Sequence, residues 1–358
     1  MKLSDRRLDE WLSRAPKGKS GREKSDFARR YTNLAGRLAG AHTFAVTGAV
    51  AADARAQDAR GEVVDPGILT NHGPEHIEKV IEHATSLLRT PDADLSPREV
   101  FMLLVGIQLH DVGNAYGRER HEERVWDVLR QVRSDDLDEV ETRAICQIVQ
   151  AHGGLAPDGS KDRIGPIYPT QNIFGQPVRL QLLAAILRFA DELADDYSRA
   201  ARFLMAAGGL PKKSEIYHEY AKSLRSVIVN AAGREIALTY VLDRRVTMNK
   251  VGRDDREEFL LDYILGRTQK MHYERVYCSR FMAPHGIQID QIRIEIMFLD
   301  DDGRDFHAPI HYRLEDRGYP TEQPLGDLCA DDLRAPGTRD LWCGALVKDR
   351  LERGEQND

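Results

Sequence analysis

From Pro74 to about Tyr197 apolar residues recur at helical spacing, the stripe of helices that bury one face. In "PEHIEKVIEHATSLL", Pro74 suits the first helical position, with Gly73 or Asn71 before it as cap. Ile77, Val80, Ile81, Ala84, Leu87 and Leu88 then face a core, and His76 borders that stripe in the opening turn. The next helix opens on "SPRE", with Ser96 as N-cap, Pro97 at the first position and Glu99 completing a capping box. Its run Val100 to Leu109 is apolar nearly all round, as a central helix with neighbours on every side requires. Gly113 is expected to end it in a left-handed turn, which places His110 and Asp111 in its last turn. A third helix is expected from near Arg118, with His121 in its first turn. A fourth runs through "DEVETRAICQIVQAHGG", where His152 continues the stripe of Ile145, Ile148 and Val149. The fifth, "VRLQLLAAILRFADELADD", puts Leu180, Leu183, Ala184, Leu187, Asp191 and Ala194 on one face.

The segments either side have other textures. Residues 1 to 60 are charged and then alanine-rich, and read as helices packed on the core; "GREKSDFARR" within them reads as a solvated or subunit-contacting helix. The stretch Gly153–Pro177 reads as a loop long enough to be functional or mobile, with closure over a substrate as one use. Beyond Arg225, "SVIVN", "EIALTYVL" and "IQIDQIRIEIMFLDDDGRDFHAPIHY" carry β-branched, partly alternating residues of strand type, with "REEFLLDYILGRTQKMHYERVYC" as a helix between them. "FLDDDGRDFH" has acidic spacing like a calcium loop but lacks its twelfth-position Glu, so a hairpin turn is expected. The tail after Gly337 is charged and expected to fray, unless "LWCGALV" docks. The expected fold is mainly α, a helical bundle with a smaller C-terminal α+β portion. Its divisions are 1–60 (N-terminal helices), 61–215 (the bundle), 216–335 (the α+β region) and 336–358 (the tail).

Composition narrows the picture. The 358 residues are 41% hydrophobic and 30% charged, a globular balance. A net charge of −7 argues against a broad nucleic-acid surface while leaving room for a local basic pocket. Cys146, Cys278, Cys329 and Cys343 form no CxxC pair, and neither a signal-peptide pattern nor a membrane-length apolar run is present, so a reducing cytoplasm is expected. His272, His285, His307 and His311 have no ligand spacing and read as surface or structural residues.

The polar residues on the helical stripes change the picture most. Taken alone, a histidine at a helix end is a dipole partner, and Asp191 could pair with Arg188 one turn earlier. Yet an isolated charge resists leaving water, and five helices each deliver a His, an Asp or both near a buried face or end. A shared positive centre satisfies His76, His110, Asp111, His121, His152 and Asp191 together. Imidazole and carboxylate without thiolate suit Mn, Fe, Co, Ni or Zn.

That ordered set resembles the HD superfamily of metal-dependent phosphohydrolases, named for its adjacent His-Asp pair. "NHGPEHIEKV" is similar to its first histidine motif, "LHDVGN" to the doublet and "RFADELAD" to its closing aspartate helix, over about residues 68–200. The resemblance implies an HD-type helical bundle in which His76, His110, Asp111 and Asp191 hold one divalent metal. His121 and His152 match positions that hold a second metal in two-metal members or touch phosphate in others. The cofactor implied is one or two ions, with Mn or Mg favoured. "HGPEHIEKV" and the appended β-containing region also resemble HD modules of bacterial conflict systems, some linked to nucleotide depletion in phage defence. Asn114 stands where many triphosphohydrolases of the superfamily have a histidine, and "QAHGG" lacks the complete signature of cyclic-dinucleotide phosphodiesterases.

The expected chemistry is attack of metal-activated water on phosphorus, with Asp111, His121 and His152 as the catalytic set and Arg118, Arg120, Arg188 and Lys161 (Arg163 nearby) as candidate phosphate partners. The leading substrate is a deoxynucleoside triphosphate, and a nucleotide effector and a homo-oligomer fit the family. Alternatives are a phosphodiesterase on a cyclic or oligonucleotide, a di-iron oxygenase on the same fold, and a non-catalytic nucleotide sensor.

Overall fold

The structure is a computed structural model that describes residues 6–15, 26–53, 73–116, 120–132, 135–316 and 324–354. It divides into two units, Met1–Ala194 with Cys278–Gln288, and Asp195–Tyr277 with Ile289–Asp358. The first is helical and the second carries the main sheet, so the fold is mainly α with a smaller α+β portion.

The first unit comprises α1 (Leu8–Arg14), α2 (Phe27–Asp53), α3 (Pro74–Leu87), α4 (Pro97–Leu109), α5 (Val125–Val132), α6 (Glu139–Gln150), the hairpin β1 (Gln171–Ile173) and β2 (Gln176–Val178), and α7 (Leu180–Leu193). α4 is the axis, with every residue from Arg98 to Leu109 buried. Its neighbours are α2, α6, α7 and α1, which explains an apolar run with no polar face. Truncating one such side chain, as in Leu103→Ala, costs about 2–5 kcal/mol. The capping box of Ser96 and Glu99 fixes where α4 starts, and the Glu99 carboxylate also accepts from Arg179 at the head of α7. α6 starts on a second capping box, Asp138 with Glu141. The Glu141 carboxylate is 1% exposed and lies between the guanidiniums of Arg30 and Arg98, joining α2, α4 and α6. Arg30 and Phe27 are thus core residues, while Arg29 between them stays exposed, so the described part of "GREKSDFARR" is solvated on one side only; Arg30 lies 4.4 Å from the Phe101 ring centre.

Two local expectations change. α4 ends at Leu109, with His110 as its C-cap, and Gly113 lies inside a 3-10 turn, Val112–Tyr116. Gly113 is not a left-handed terminator; a Cβ there would sit 1.9 Å from the His121 carbonyl oxygen, so the glycine permits a close approach. His121 stands in a 3-10 turn, His121–Glu123, ahead of α5, and not in an α-helix. The Gly153–Pro177 stretch ends in the hairpin, with Phe174 and Gly175 at φ +51° and +81° in its turn. Before the hairpin, Arg163 donates to the carbonyls of Gln150 and Leu155, and Gln181 of α7 donates to that of Ile167.

The second unit comprises α8 (Arg202–Ala206), α9 (Glu215–Ser223), β3 (Leu224–Asn230), β4 (Glu235–Leu242), α10 (Arg244–Met248), the hairpin β5 (Val251–Arg253) and β6 (Arg256–Glu258), most of α11 (Leu260–Met282), β7 (Gln291–Leu299), β8 (Asp305–Glu315), α12 (Leu325–Leu333) and α13 (Gly344–Glu352). The sheet order is β3-β4-β7-β8, antiparallel except for the parallel pair β4–β7, which needs the long connection through α10 and α11. Alternate residues Ile236, Leu238, Tyr240 and Leu242 on β4 and Ile292, Ile294, Ile296 and Phe298 on β7 are buried, the period-two pattern of a sheet with one face covered. "FLDDDGRDFH" is the β7–β8 turn, closed by Asp300 accepting from the backbone of Asp302 and Arg304. The tail does not fray up to Gly354; α13 packs Val347 into the core, and Trp342 is buried.

Candidate metal centre

Helix ends deliver the first group of candidate ligands. The Gly73–Pro74 start of α3 puts His76 in its first turn, and Asp191 occupies the last turn of α7. His110 is the exit of α4. Its Nδ1 lies 2.7 Å from the carbonyl oxygen of Ile107, which can only accept, so Nδ1 carries the proton and the neutral ring presents a lone pair at Nε2. That Nε2 stands 3.1 Å from His76 Nε2, 3.3 Å from Asp111 Oδ2 and 3.4 Å from Asp191 Oδ1. His76 Nε2 is 3.1 Å from Asp191 Oδ1 and 3.5 Å from Asp111 Oδ2.

A second group shares Asp111. Its other oxygen, Oδ1, is 3.3 Å from His121 Nε2 and accepts from Asn114 Nδ2 at 3.0 Å. His121 Nε2 is 3.3 Å from His152 Nε2. His152 lies just past α6, with Nδ1 donating to Val149 O at 2.6 Å, again leaving a lone pair at Nε2.

These donors fit a metal. Ring nitrogens that face each other with lone pairs need a proton or cation between them. Separations of 3.1 to 3.5 Å are those of atoms about 2 Å from a common centre, the usual metal–nitrogen and metal–oxygen distance. His76, His110, Asp111 and Asp191 could hold one ion, and Asp111, His121 and His152 another.

Without a cation the protons respond to the same field. Burial opposes a charged His110, but the carboxylates of Asp111 and Asp191 outweigh it and hold its pKa well above the ordinary value. Burial would raise Asp191, yet His110 and His76 keep it well below the carboxylate range. His152 goes the other way: burial, with His110 and His121 beside it, pushes it down to about 4. It stays neutral near pH 7, the form a ligand requires.

A family model for HD-CE matches residues 66–270, more than half of the chain. The chain belongs to the HD-CE family. Family membership and the His/Asp cluster together fit a metal-dependent hydrolase, and a divalent ion fits the donors. No curated protein and no solved structure matches the chain. No described helix is long and apolar enough to cross a membrane.

The candidate phosphate partners differ in setting. Arg118 lies outside the described residues. Arg120 adopts a left-handed conformation before His121, and its exposed guanidinium pairs with Glu123 at 2.6 Å. Arg188 is buried and donates to the carbonyls of Ala151 and Lys161, while Lys161 is exposed. Three neighbouring residues receive no role from the sequence. His42 on α2 is buried, with Nε2 2.6 Å from Gln108 O behind the doublet. Asn114, three residues after Asp111, fixes Oδ1, and Glu122 is buried beside His121. Asn114 carries two signals, its closeness to Asp111 and its place in the doublet motif, and Glu122 only its closeness to His121; His42 has none.

Proposed function

We propose that the chain is a metal-dependent phosphohydrolase acting on a nucleotide phosphate ester. The leading substrate is a deoxynucleoside triphosphate, consumed to deplete nucleotides in phage defence. The observation that carries this reading is Asp111, whose two carboxylate oxygens face different histidine groups, as a bridge between two ions requires. Bound there, divalent ions supply hydroxide near neutral pH and polarise a phosphoryl oxygen.

The chain's own residues divide the remaining work. His76 and His110 side chains are 0% and 1% exposed, whereas those of His121 and Asp191 are 16% and 26% exposed, so substrate approaches from the side of the latter pair. Asn114 donates to Asp111 Oδ1 and orients the carboxylate that would serve both ions. The lowered pKa of His152 favours a ligand role over proton donation. His121, in a form with only one ion, is the imidazole placed to protonate the leaving oxygen.

The test is an activity screen on metal-stripped protein resupplied with Mn, Mg, Co, Ni or Fe. It would use NTPs, dNTPs and cyclic dinucleotides with products resolved by chromatography, and Asp111→Ala beside it. Metal-dependent conversion absent from the variant supports the reading. Released tripolyphosphate or pyrophosphate indicates triphosphate hydrolysis, and a linear nucleotide from a cyclic one indicates a phosphodiesterase. No turnover with metal bound argues against it. The same shared carboxylate suits a di-iron oxygenase, for which iron content and oxygen-dependent turnover are the readout.

A further inference from the structure

Two site imidazoles donate Nδ1 to a backbone carbonyl, and a third has its Nδ1 beside a carboxylate. His110 and His152 each donate to a backbone carbonyl three residues earlier, Ile107 and Val149. A helix end provides those carbonyls whatever side chains surround it. His121 sits in a 3-10 turn after a left-handed residue, and its Nδ1 faces a carboxylate: Glu122 Oε2, 3.5 Å away. The Glu122 side chain is only 6% exposed. A buried carboxylate is costly unless something compensates it.

The other Glu122 oxygen lies against the loop that follows His152. A Cβ on Gly154 would sit 2.2 Å from Glu122 Oε1, and Gly154 has φ +72°, so this backbone passes over the carboxylate where a side chain would not fit. One carboxylate therefore touches the ring of one histidine and the chain just beyond the other.

Resting on the metal-centre reading above, we propose that Glu122 is the positioning residue of the second ligand group. Its carboxylate holds the proton of His121 on Nδ1 and turns the Nε2 lone pair toward Asp111 and His152, while its contact at Gly154 keeps the two histidines in register. Outer partners of metal-bound histidine set ring orientation and basicity, and losing one costs roughly 10–100-fold in metal affinity. His76, His110 and Asp191 of the first group are placed instead by the start of α3, the exit of α4 and the last turn of α7, so that group should respond less.

The experiment is calorimetric titration of chelator-stripped protein with Mn, for the wild type, Glu122→Gln and Glu122→Leu, with thermal melts alongside. Wild type is expected to bind two ions in separable events. Glu122→Leu should weaken one event by about 10–100-fold and leave the other unchanged. Glu122→Gln keeps an acceptor oxygen without the charge and should fall between. If the leucine variant melts early, the isosteric glutamine variant carries the test. The inference is overturned if both variants bind two ions as wild type does, if both events weaken equally, or if wild type binds a single ion. Wild type that binds no ion at all overturns the metal-centre reading itself.

Discussion

The two ligand groups have nearly the same internal spacing and very different support. His76, His110 and Asp191 come from the first turn of α3, the exit of α4 and the last turn of α7. Those helices are held by long apolar faces, so each donor is positioned by many small packing terms. His121 and His152 stand on a 3-10 turn and on a post-helical residue. Their positions depend on a few discrete contacts: Val149 O, Glu122, and the backbone approaches at Gly113 and Gly154. A site can thus be rigid on one side and adjustable on the other, and single substitutions should separate the sides.

The largest effect is expected where the two groups meet. Asp111→Ala removes both halves of the bridge, and kcat should fall by at least about a thousandfold, on the scale of losing a transition-state stabilising group. Residual turnover within tenfold of wild type, in protein of normal melting behaviour, would dismiss the shared carboxylate.

Next comes the buried brace beneath α6. Glu141→Leu leaves Arg30 and Arg98 without their common carboxylate, and breaking a buried pair from one side costs about 3–5 kcal/mol. Denaturant midpoints measure this; a change under about 1 kcal/mol would mean that the arginines find other partners.

Gly113→Ala sharpens the comparison further. The added methyl meets the His121 carbonyl, so the His121 turn must shift, at about 1–3 kcal/mol of stability. Binding by the second group should weaken while the first persists, and titration with Co, followed by its visible absorption, would reveal equal losses if the two groups are not independent.

The smallest effect lies in the helical frame and is pH-dependent. Burial would raise the pKa of Glu99, but hydrogen bonds from Arg179 and the Ser96 backbone more than offset it, so the folded value is lowered. The folded state then binds fewer protons there than the unfolded state. Its stability contribution is present above the ordinary carboxylate range and lost as pH falls through the lowered folded value. Melting temperatures from about pH 5 down to about pH 2 should fall less steeply in Glu99→Gln than in wild type; identical slopes would exclude Glu99 as a contributor.

Much of the site was legible because helix ends are written locally. Ser96 with Glu99 and Asp138 with Glu141 mark helix starts by side chains that satisfy backbone N–H groups, and Pro74 by a ring that fixes the helical φ and needs no N–H partner. The stripes then placed His76, His110, His152 and Asp191 at buried edges. Gly113 misleads because its local signature, a glycine after a helix, is the same for a left-handed cap and for a close tertiary approach. Arg30 misleads because its charge is visible in sequence and its partner Glu141 is far along the chain. Glu122 looks like one more charged residue of an exposed turn.

The sequence by itself determined the capped starts of α3 and α4, the alternation of β4 and β7, and the order of the candidate metal-ligand residues, since each depends on short-range periodicity and capping. Tertiary structure alone decided which oxygen of Asp111 faces which histidines, that Glu141 lies between two arginines, and that Glu122 spans the second group. Those facts depend on distances between residues remote in the chain, and a linear pattern carries no such distances until the core has packed.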